Sequence, residues 1–167
     1  MLKPQDILVV LKIASLGGSP WTYKALSEML SLSAAGVHES VQRAVSAGFL
    51  GGKEIRVLRS AIEEFLVHGL RYVIPAERGR LARGISTSTS APAFADRMAK
   101  QEIPLVWAFA LGDTRGETLA PIHPSAPAAA SKDTKLHGLL AAADVFRAGG
   151  ARERSVAVEV LRELLAS

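Results

Sequence analysis

A chain of 167 residues can form one domain of ordinary size or a smaller one with an appendage, and its hydrophobic content of 49% excludes wholesale disorder. The absence of cysteine excludes disulfides and cysteine-based metal sites, and it fits the reducing conditions of the cytoplasm. Lys and Arg outnumber Asp and Glu by 11 to 7 in residues 1–84 but only balance them, 9 to 9, in residues 85–167, so the basic first half indicates an acidic partner such as nucleic acid.

The apolar runs are too short for a membrane protein. The longest, residues 7–11 and 103–111, fall well below the roughly 20 residues that a membrane-spanning helix needs. Asp6 and Lys12 border the first run closely, whereas the apolar part of a secretory signal is normally longer and uncharged. We therefore expect a soluble protein of the cytoplasm with no membrane partner.

Two helices are predicted at the start of the chain. Residues 3–18 carry Ile7 and Leu11 at helical spacing and end in two glycines, which stop a helix. Thr22 is a suitable N-cap for a short second helix that turns Leu26 inward.

A third helix is predicted after a connection of only about three residues. Ser33 can cap its start, and Gly48 can supply the left-handed residue at its end. Val37 and Val41 lie on one stripe of this helix and face the core, while the opposite side is small and polar. Two helices joined in this way are typical of a helix-turn-helix.

Residues 21–50, WTYKALSEMLSLSAAGVHESVQRAVSAGFL, resemble the core of the winged helix-turn-helix regulators, particularly the MarR-like group. The resemblance extends over about residues 2–55. It is carried by the residues at the helix 2 packing positions, the turn, the helix 3 docking positions and the exit to the wing, namely Ala25, Leu26, Leu32, Ser33, Val37, Val41, Gly48, Phe49 and Leu50. Only GGKEIRV, residues 51–57, is available for the wing, so we expect a short one.

The resemblance implies duplex DNA as the partner, with the third helix in the major groove and its first residues nearest the base edges. The candidate DNA-binding residues are Thr22, Ser33, Ala35, His38, Gln42, Arg43, Lys53 and Arg56. Small residues at the start of the helix would admit the phosphates, Gln42 and Arg43 could read adenine and guanine, and Lys53 and Arg56 could contact phosphate. Glu39 would repel phosphate unless it accepts from a cytosine amine. The alternative is an alanine-rich packing helix in a domain that does not bind DNA.

The next predicted element is a helix of about four turns over residues 58–73, which Pro75 would end. Arg78, Arg80 and Arg83 follow, and they are either further phosphate contacts or ordinary loop residues. Residues 85–103 are rich in Ser, Thr and Pro without hydrophobic periodicity, which is typical of a linker.

The last third of the chain predicts a second module over residues 104–167. Two short β-rich runs surround the turn sequence GDTRG and predict a β-hairpin. Two amphipathic helices follow, with a break at Gly149 and Gly150. The expected fold is mainly α with a small β component. It comprises a winged-helix domain with the following helix over residues 1–84, the linker, and a module for dimerisation or partner binding.

Nothing in the sequence indicates an enzyme, a cofactor or a metal site. Phosphate-binding, dinucleotide-binding, nucleophile-elbow and zinc-protease motifs are absent, and the four histidines show no ligand spacing. The first hypothesis is a sequence-specific transcriptional regulator that binds a palindromic operator as a homodimer. Its dimer contacts would come from residues 58–73 and 156–165, unless these apolar faces are buried within the monomer. The second is an interaction protein, such as an antitoxin or adaptor, that grips a protein partner through residues 104–167.

Overall fold

The computed structural model describes all residues, 1–167, as a mixed α/β chain that is largely helical and has two small sheets. The helices are α1 Pro4–Ser15, α2 Tyr23–Leu30, α3 Ala34–Ser46, α4 Arg59–His68, α5 Leu70–Val73, α6 Ala126–Ala130, α7 Thr134–Ala148 and α8 Ala151–Ala166. The strands are β1 Leu50–Gly51, β2 Arg56–Val57, β3 Arg78–Ser86, β4 Leu105–Ala108 and β5 Thr114–Leu119. None of the helices combines the length and the apolar character needed to cross a membrane.

The first three helices lie where the spacing predicts them. Thr22 Oγ1 accepts a hydrogen bond of 3.0 Å from Ala25 N, and Ser33 Oγ accepts one of 3.0 Å from Gly36 N, so both predicted N-caps are present. Val37 and Val41 are fully buried where α3 packs on α1 and α2. The α2–α3 connection spans only residues 31–33.

The segment after α3 forms a hairpin of two very short antiparallel strands. Leu50 pairs with Val57 and Gly51 with Arg56, so only two residues of each strand take part. Gly52 makes the turn with a φ of +83°, which a residue with a side chain rarely adopts. The short β-element expected here is therefore present.

The prediction of a single helix over residues 58–73 is wrong in one respect. The structure divides this segment at Gly69 into α4 and α5. Gly69 has a φ of −114°, away from helical geometry, although its N–H still bonds to Phe65 O at 2.8 Å. Glycine restrains the backbone least of all residues, so a break costs little there. The end before Pro75 is as expected.

The apolar faces considered for dimer contacts are covered within the monomer in large part. Ile62 and Leu66 of α4 and Val160 and Leu161 of α8 are at most 3% exposed, and the two helices pack against one another. Burial within the monomer therefore accounts for most of these faces, while Leu58 and Val73, at the two ends of the first segment, are 45% and 55% exposed.

Helix α7 is the centre of the core and not part of a separate module. Its residues 136 and 138–147 are buried, and it packs on α1, α4, α5, α6 and α8. A single hydrophobic cluster contains both Ile7 of α1 and Leu140 of α7. The expected division between residues 1–84 and 104–167 does not separate two cores.

The expected linker over residues 85–103 is largely packed structure. It contains the end of β3 and two short 3-10 turns, and Thr87 and Phe94 are fully buried. Its hydroxyl groups have partners: Thr87 Oγ1 donates to Asp144 Oδ2 at 2.7 Å, and Ser90 Oγ accepts from Leu105 N at 3.2 Å. Because these bonds satisfy the polar groups, a Ser/Thr-rich segment can be buried.

The hairpin expected around GDTRG is also wrong: β4 and β5 are present but run parallel. Both pair antiparallel with β3, and the three strands close into a small barrel. The chain crosses β3 at Gly84, which pairs with Ala108 of β4 and with Thr114 of β5. A Cβ on Gly112 would lie 2.1 Å from Gly84 O, so only glycine permits this crossing.

Candidate nucleic-acid interface

The outward face of α3 is accessible, although the ring of His38 on this face contacts the ring of Tyr23. Ala35, His38 and Gln42 are exposed there, and none of their side chains forms a hydrogen bond within the chain. The helix packs on α1, α2 and β1 through its opposite side. Three of the predicted contact residues therefore share one accessible surface.

The start of α3 is small and open. Ser33 lies at the N-cap and Ala34 and Ala35 follow, all of them exposed. The first-turn N–H groups of a helix point outward and favour an anion. From the core side, Gln5 Nε2 of α1 donates to Gly36 O at 3.2 Å, which holds this end of α3 in place.

Arg43, which was expected to reach a base or a phosphate, is engaged inside the protein. Its Nε and Nη2 each donate to the carboxylate of Asp6 on α1 at 2.9 Å, and Asp6 is fully buried. The bond to Asp6 raises the pKa of the Arg43 guanidinium, so its charge is fixed. Arg43 therefore joins α3 to the first turn of α1, and the expectation for this residue is corrected.

His38 belongs to a row of aromatic side chains that begins before α2. The His38 ring lies 5.0 Å from the ring of Tyr23, and Tyr23 lies 5.5 Å from Trp21 in an edge contact. These contacts orient the imidazole toward the start of α2 while leaving it accessible.

The short hairpin carries the two other predicted cations at its turn and second strand. Lys53 and Arg56 are exposed, and Arg56 pairs with the neighbouring Glu54. Both partners of that pair are more than 60% exposed, so it is weak and readily exchanged for another anion. Lys53 and the adjacent Arg59 form no ion pair.

A cleft of about 600 Å³ separates this hairpin from the loop between α1 and α2. Its walls include Trp21, Thr22, Tyr23, Lys53, Arg56 and Leu165. Thr22, Lys53 and Arg56 thus lie together here, apart from the group on α3. Tyr23 belongs to the cleft and also contacts His38, so it connects the two groups into one surface.

The arginines after α5 lie on the barrel. Arg78 pairs with Glu117 at 3.4 Å, while Arg80 and Arg83 are exposed and form no ion pair. Arg115 of β5, which we did not identify from the sequence, is the direct cross-strand partner of Arg83. Arg83 and Arg115 lie opposite one another because β5 pairs with β3, and the turn sequence alone does not specify that pairing.

A buried ion pair that the sequence analysis also missed holds the barrel to the helices. Asp144 of α7 accepts from Trp107 Nε1 and from Arg147 Nη1, each at 2.7 Å. Burial raises the pKa of the Asp144 carboxyl, against the opposing effect of Arg147. Arg147 also donates to the carbonyls of Ile74 and Ala120. The sequence signal for this ion pair was an acidic and a basic residue three positions apart in an otherwise apolar helix.

No group of three or more His, Asp or Glu side chains is arranged to hold a metal ion. Comparison of the chain with protein-family models, with curated proteins and with solved structures finds no match.

Proposed function

We propose that the chain is a sequence-specific regulator of transcription that binds duplex DNA through a winged helix-turn-helix arrangement. One observation carries the proposal: α3 follows α2 after a short turn and presents Ala35, His38 and Gln42 on a face that nothing else in the chain covers. A helix with this placement can enter the major groove, where its N-terminal part approaches the bases.

Each side chain has a distinct part in this proposal. Gln42 donates to and accepts from the major-groove edge of adenine, and His38 contacts a base or phosphate beside it. Small Ala35 lets the helix backbone approach the duplex. Lys53 and Arg56 on the hairpin contact phosphates and fix the orientation without reading sequence.

The regulator would act as a homodimer on a palindromic site, because a two-fold protein symmetry is matched by a two-fold DNA symmetry. The inward faces of α4 and α8 are occupied within the monomer, so of the segment 58–73 only its exposed residues remain available for a dimer contact. Tyr72 and Val73 of α5 are 71% and 55% exposed and provide apolar surface for it.

A specific observation supports the second candidate, a protein-interaction module. With Arg43 bound to Asp6, the outward face of α3 has no free lysine or arginine, and it exposes Glu39 and 40% of Val45. A surface of this kind attracts a polyanion weakly and suits a protein partner better.

Titration of the purified chain into duplex DNA at two salt concentrations distinguishes the candidates. A regulator should bind one selected sequence more tightly than random sequence, and its affinity should fall steeply with salt. Sedimentation equilibrium tests the dimer. Absence of measurable affinity at low salt would reject the regulator and favour the protein-interaction module.

A further inference from the structure

The barrel places two arginines directly opposite one another without a compensating charge. Arg83 of β3 and Arg115 of β5 are in register, so their side chains project from the same face of the strand pair. Both are exposed, and neither forms an ion pair within the chain. The nearby Glu117 is taken by Arg78 at 3.4 Å.

This arrangement is unfavourable for the protein by itself. Like charges directly opposite in an antiparallel pair destabilise the sheet. Arg97 and Arg162, by contrast, are paired with carboxylates, Arg97 with Glu163 at 2.6 Å and Arg162 with Glu63 at 2.8 Å. The other arginines outside β3 and β5 that form no ion pair lie in helices and do not face a second arginine across a strand pair: Arg59, Arg71, Arg152 and Arg154. Water and mobile ions screen this repulsion at the exposed site, and an anion bound across the pair would remove it.

A further exposed arginine lies three residues before Arg83 in β3, but side chains alternate between the faces of a strand, so this spacing does not place it on the face of Arg83. Arg80 lies in the irregular part of the strand between Arg78 and Leu81, is exposed, and also has no ion-pair partner. Neither Arg83 nor Arg115 lines the cleft beside the hairpin. On such an open strand surface a single small anion gains little over water, whereas a phosphodiester backbone makes several contacts and releases counterions.

We propose that the β3–β5 face, through Arg83 and Arg115, binds the phosphate backbone of nucleic acid as a second contact surface. The inference rests on the proposed function, since it takes nucleic acid as the partner of this chain. The planar guanidinium group can donate two hydrogen bonds to one phosphate, which suits arginine to this contact. The face would add affinity without reading sequence.

The barrel is held firmly enough to serve in this way. Thr87, which follows β3, and Trp107 of β4 both donate to the buried carboxylate of Asp144, each at 2.7 Å. These bonds fix the strands on α7 in the centre of the core. The strand face that carries Arg83 and Arg115 is therefore held on a rigid support.

The test compares the full chain with the variant Arg83→Gln/Arg115→Gln. Affinity for a short random-sequence duplex and for the corresponding single strand is measured by fluorescence anisotropy over a salt series. We expect the slope of log affinity against log salt to flatten by about one unit for each arginine removed. The variant Arg97→Gln/Arg162→Gln loses the same charge elsewhere and should keep the slope. Arg115→Gln alone should raise the melting temperature, because it removes the repulsion from Arg83.

The outcomes separate this inference from the proposed function. If the chain binds duplex DNA and the slope is unchanged in Arg83→Gln/Arg115→Gln, the regulator remains and the barrel surface is overturned. If only the single strand binds, and this variant weakens it, the barrel surface is supported and the duplex regulator fails. Failure to bind either nucleic acid overturns both. Binding to phosphatidylglycerol vesicles with no affinity for nucleic acid also overturns the inference, in favour of a lipid surface.

Discussion

Arg43 of α3 and Asp6 of α1 form two parallel hydrogen bonds of 2.9 Å each across the interface between their helices. Asp6 is fully buried and also accepts from Lys3 N at 2.7 Å, so one carboxylate caps α1 and fastens α3. The orientation of the proposed recognition helix thus depends on a residue that does not itself reach the partner.

Arg43→Ala should therefore destabilise the protein. It leaves a buried carboxylate without its cation, and removing one partner of a buried pair costs about 3–5 kcal/mol. Arg43→Lys should recover only part of this, because an ammonium group cannot make two parallel bonds to one carboxylate. The free energy of unfolding in urea measures both. A loss below about 0.5 kcal/mol, which is typical of surface substitutions, would contradict the ion pair with Asp6 and leave the Arg43 guanidinium available to a partner.

The bonds to the Asp133 carboxylate predict that the free energy of unfolding depends on pH in the acid range. Burial acts to raise the pKa of its carboxyl, but bonds from Lys12 at 2.6 Å, Ser15 at 2.8 Å and Leu136 N at 3.0 Å outweigh it and lower the pKa below its usual 3.8. The stabilisation is therefore complete above the unfolded-state pKa and is lost as the pH falls through the folded-state value.

Asp133→Asn should be less stable than the parent at neutral pH and should lose less stability on acidification. The amide oxygen of asparagine can still cap α7, while its NH2 group replaces the oxygen that accepts from Lys12 and Ser15, so the change removes the charge together with those two bonds. Urea unfolding at a series of pH values measures the difference. Parallel curves for the parent and the variant would show that the Lys12–Asp133 pair does not contribute.

Asp144→Ala should cost about 3–5 kcal/mol, because it leaves the Arg147 guanidinium buried without its carboxylate. The double variant Asp144→Ala/Arg147→Met should be more stable than the single one, since it removes the uncompensated charge. Both are measured by denaturant unfolding. A double variant less stable than Asp144→Ala would mean that the bonds from Arg147 to Ile74 and Ala120 matter more than the pair.

Local sequence signals predicted the local structure of this chain well. The caps at Thr22 and Ser33 and the break at Gly149 are properties of a few neighbouring residues, and each is found in the structure. Contacts between distant residues were not accessible in this way. Asp6 lies 37 residues before Arg43, and nothing near Arg43 indicates that its guanidinium is occupied.

The errors at the barrel have the same origin. A turn sequence such as GDTRG can join two antiparallel strands or carry the chain across a third, and the pairing of β4 and β5 with β3, which no local signal specifies, distinguishes the two. Likewise, the composition of residues 85–103 is typical of a linker. The segment is nevertheless packed, because the hydroxyl of Thr87 donates to Asp144, which lies 57 residues later in the chain. A polar side chain predicts an exposed position only when the folded chain offers it no buried hydrogen-bond partner.

Lys53→Ala/Arg56→Ala should weaken binding to specific and random duplex alike, because contacts to phosphate carry no sequence information. Each lost contact should flatten the dependence of log affinity on log salt by about one unit. Because the Arg56–Glu54 pair is exposed and weak, Lys53→Ala and Arg56→Ala should each contribute to the change. A salt slope unchanged in the double variant would remove the hairpin from the interface.

Gln42→Ala is the sharpest test of the proposed recognition helix. Gln42 is exposed on α3, so its removal should leave the fold intact while costing about 1–3 kcal/mol on the preferred site and much less on random DNA. The adjacent Val41 is fully buried, and Val41→Asp should unfold the domain instead of relaxing its specificity. Binding to both duplexes, together with circular dichroism, separates the two effects. An equal loss on both duplexes would make Gln42 a backbone contact, and no loss on either would favour a protein partner for this face.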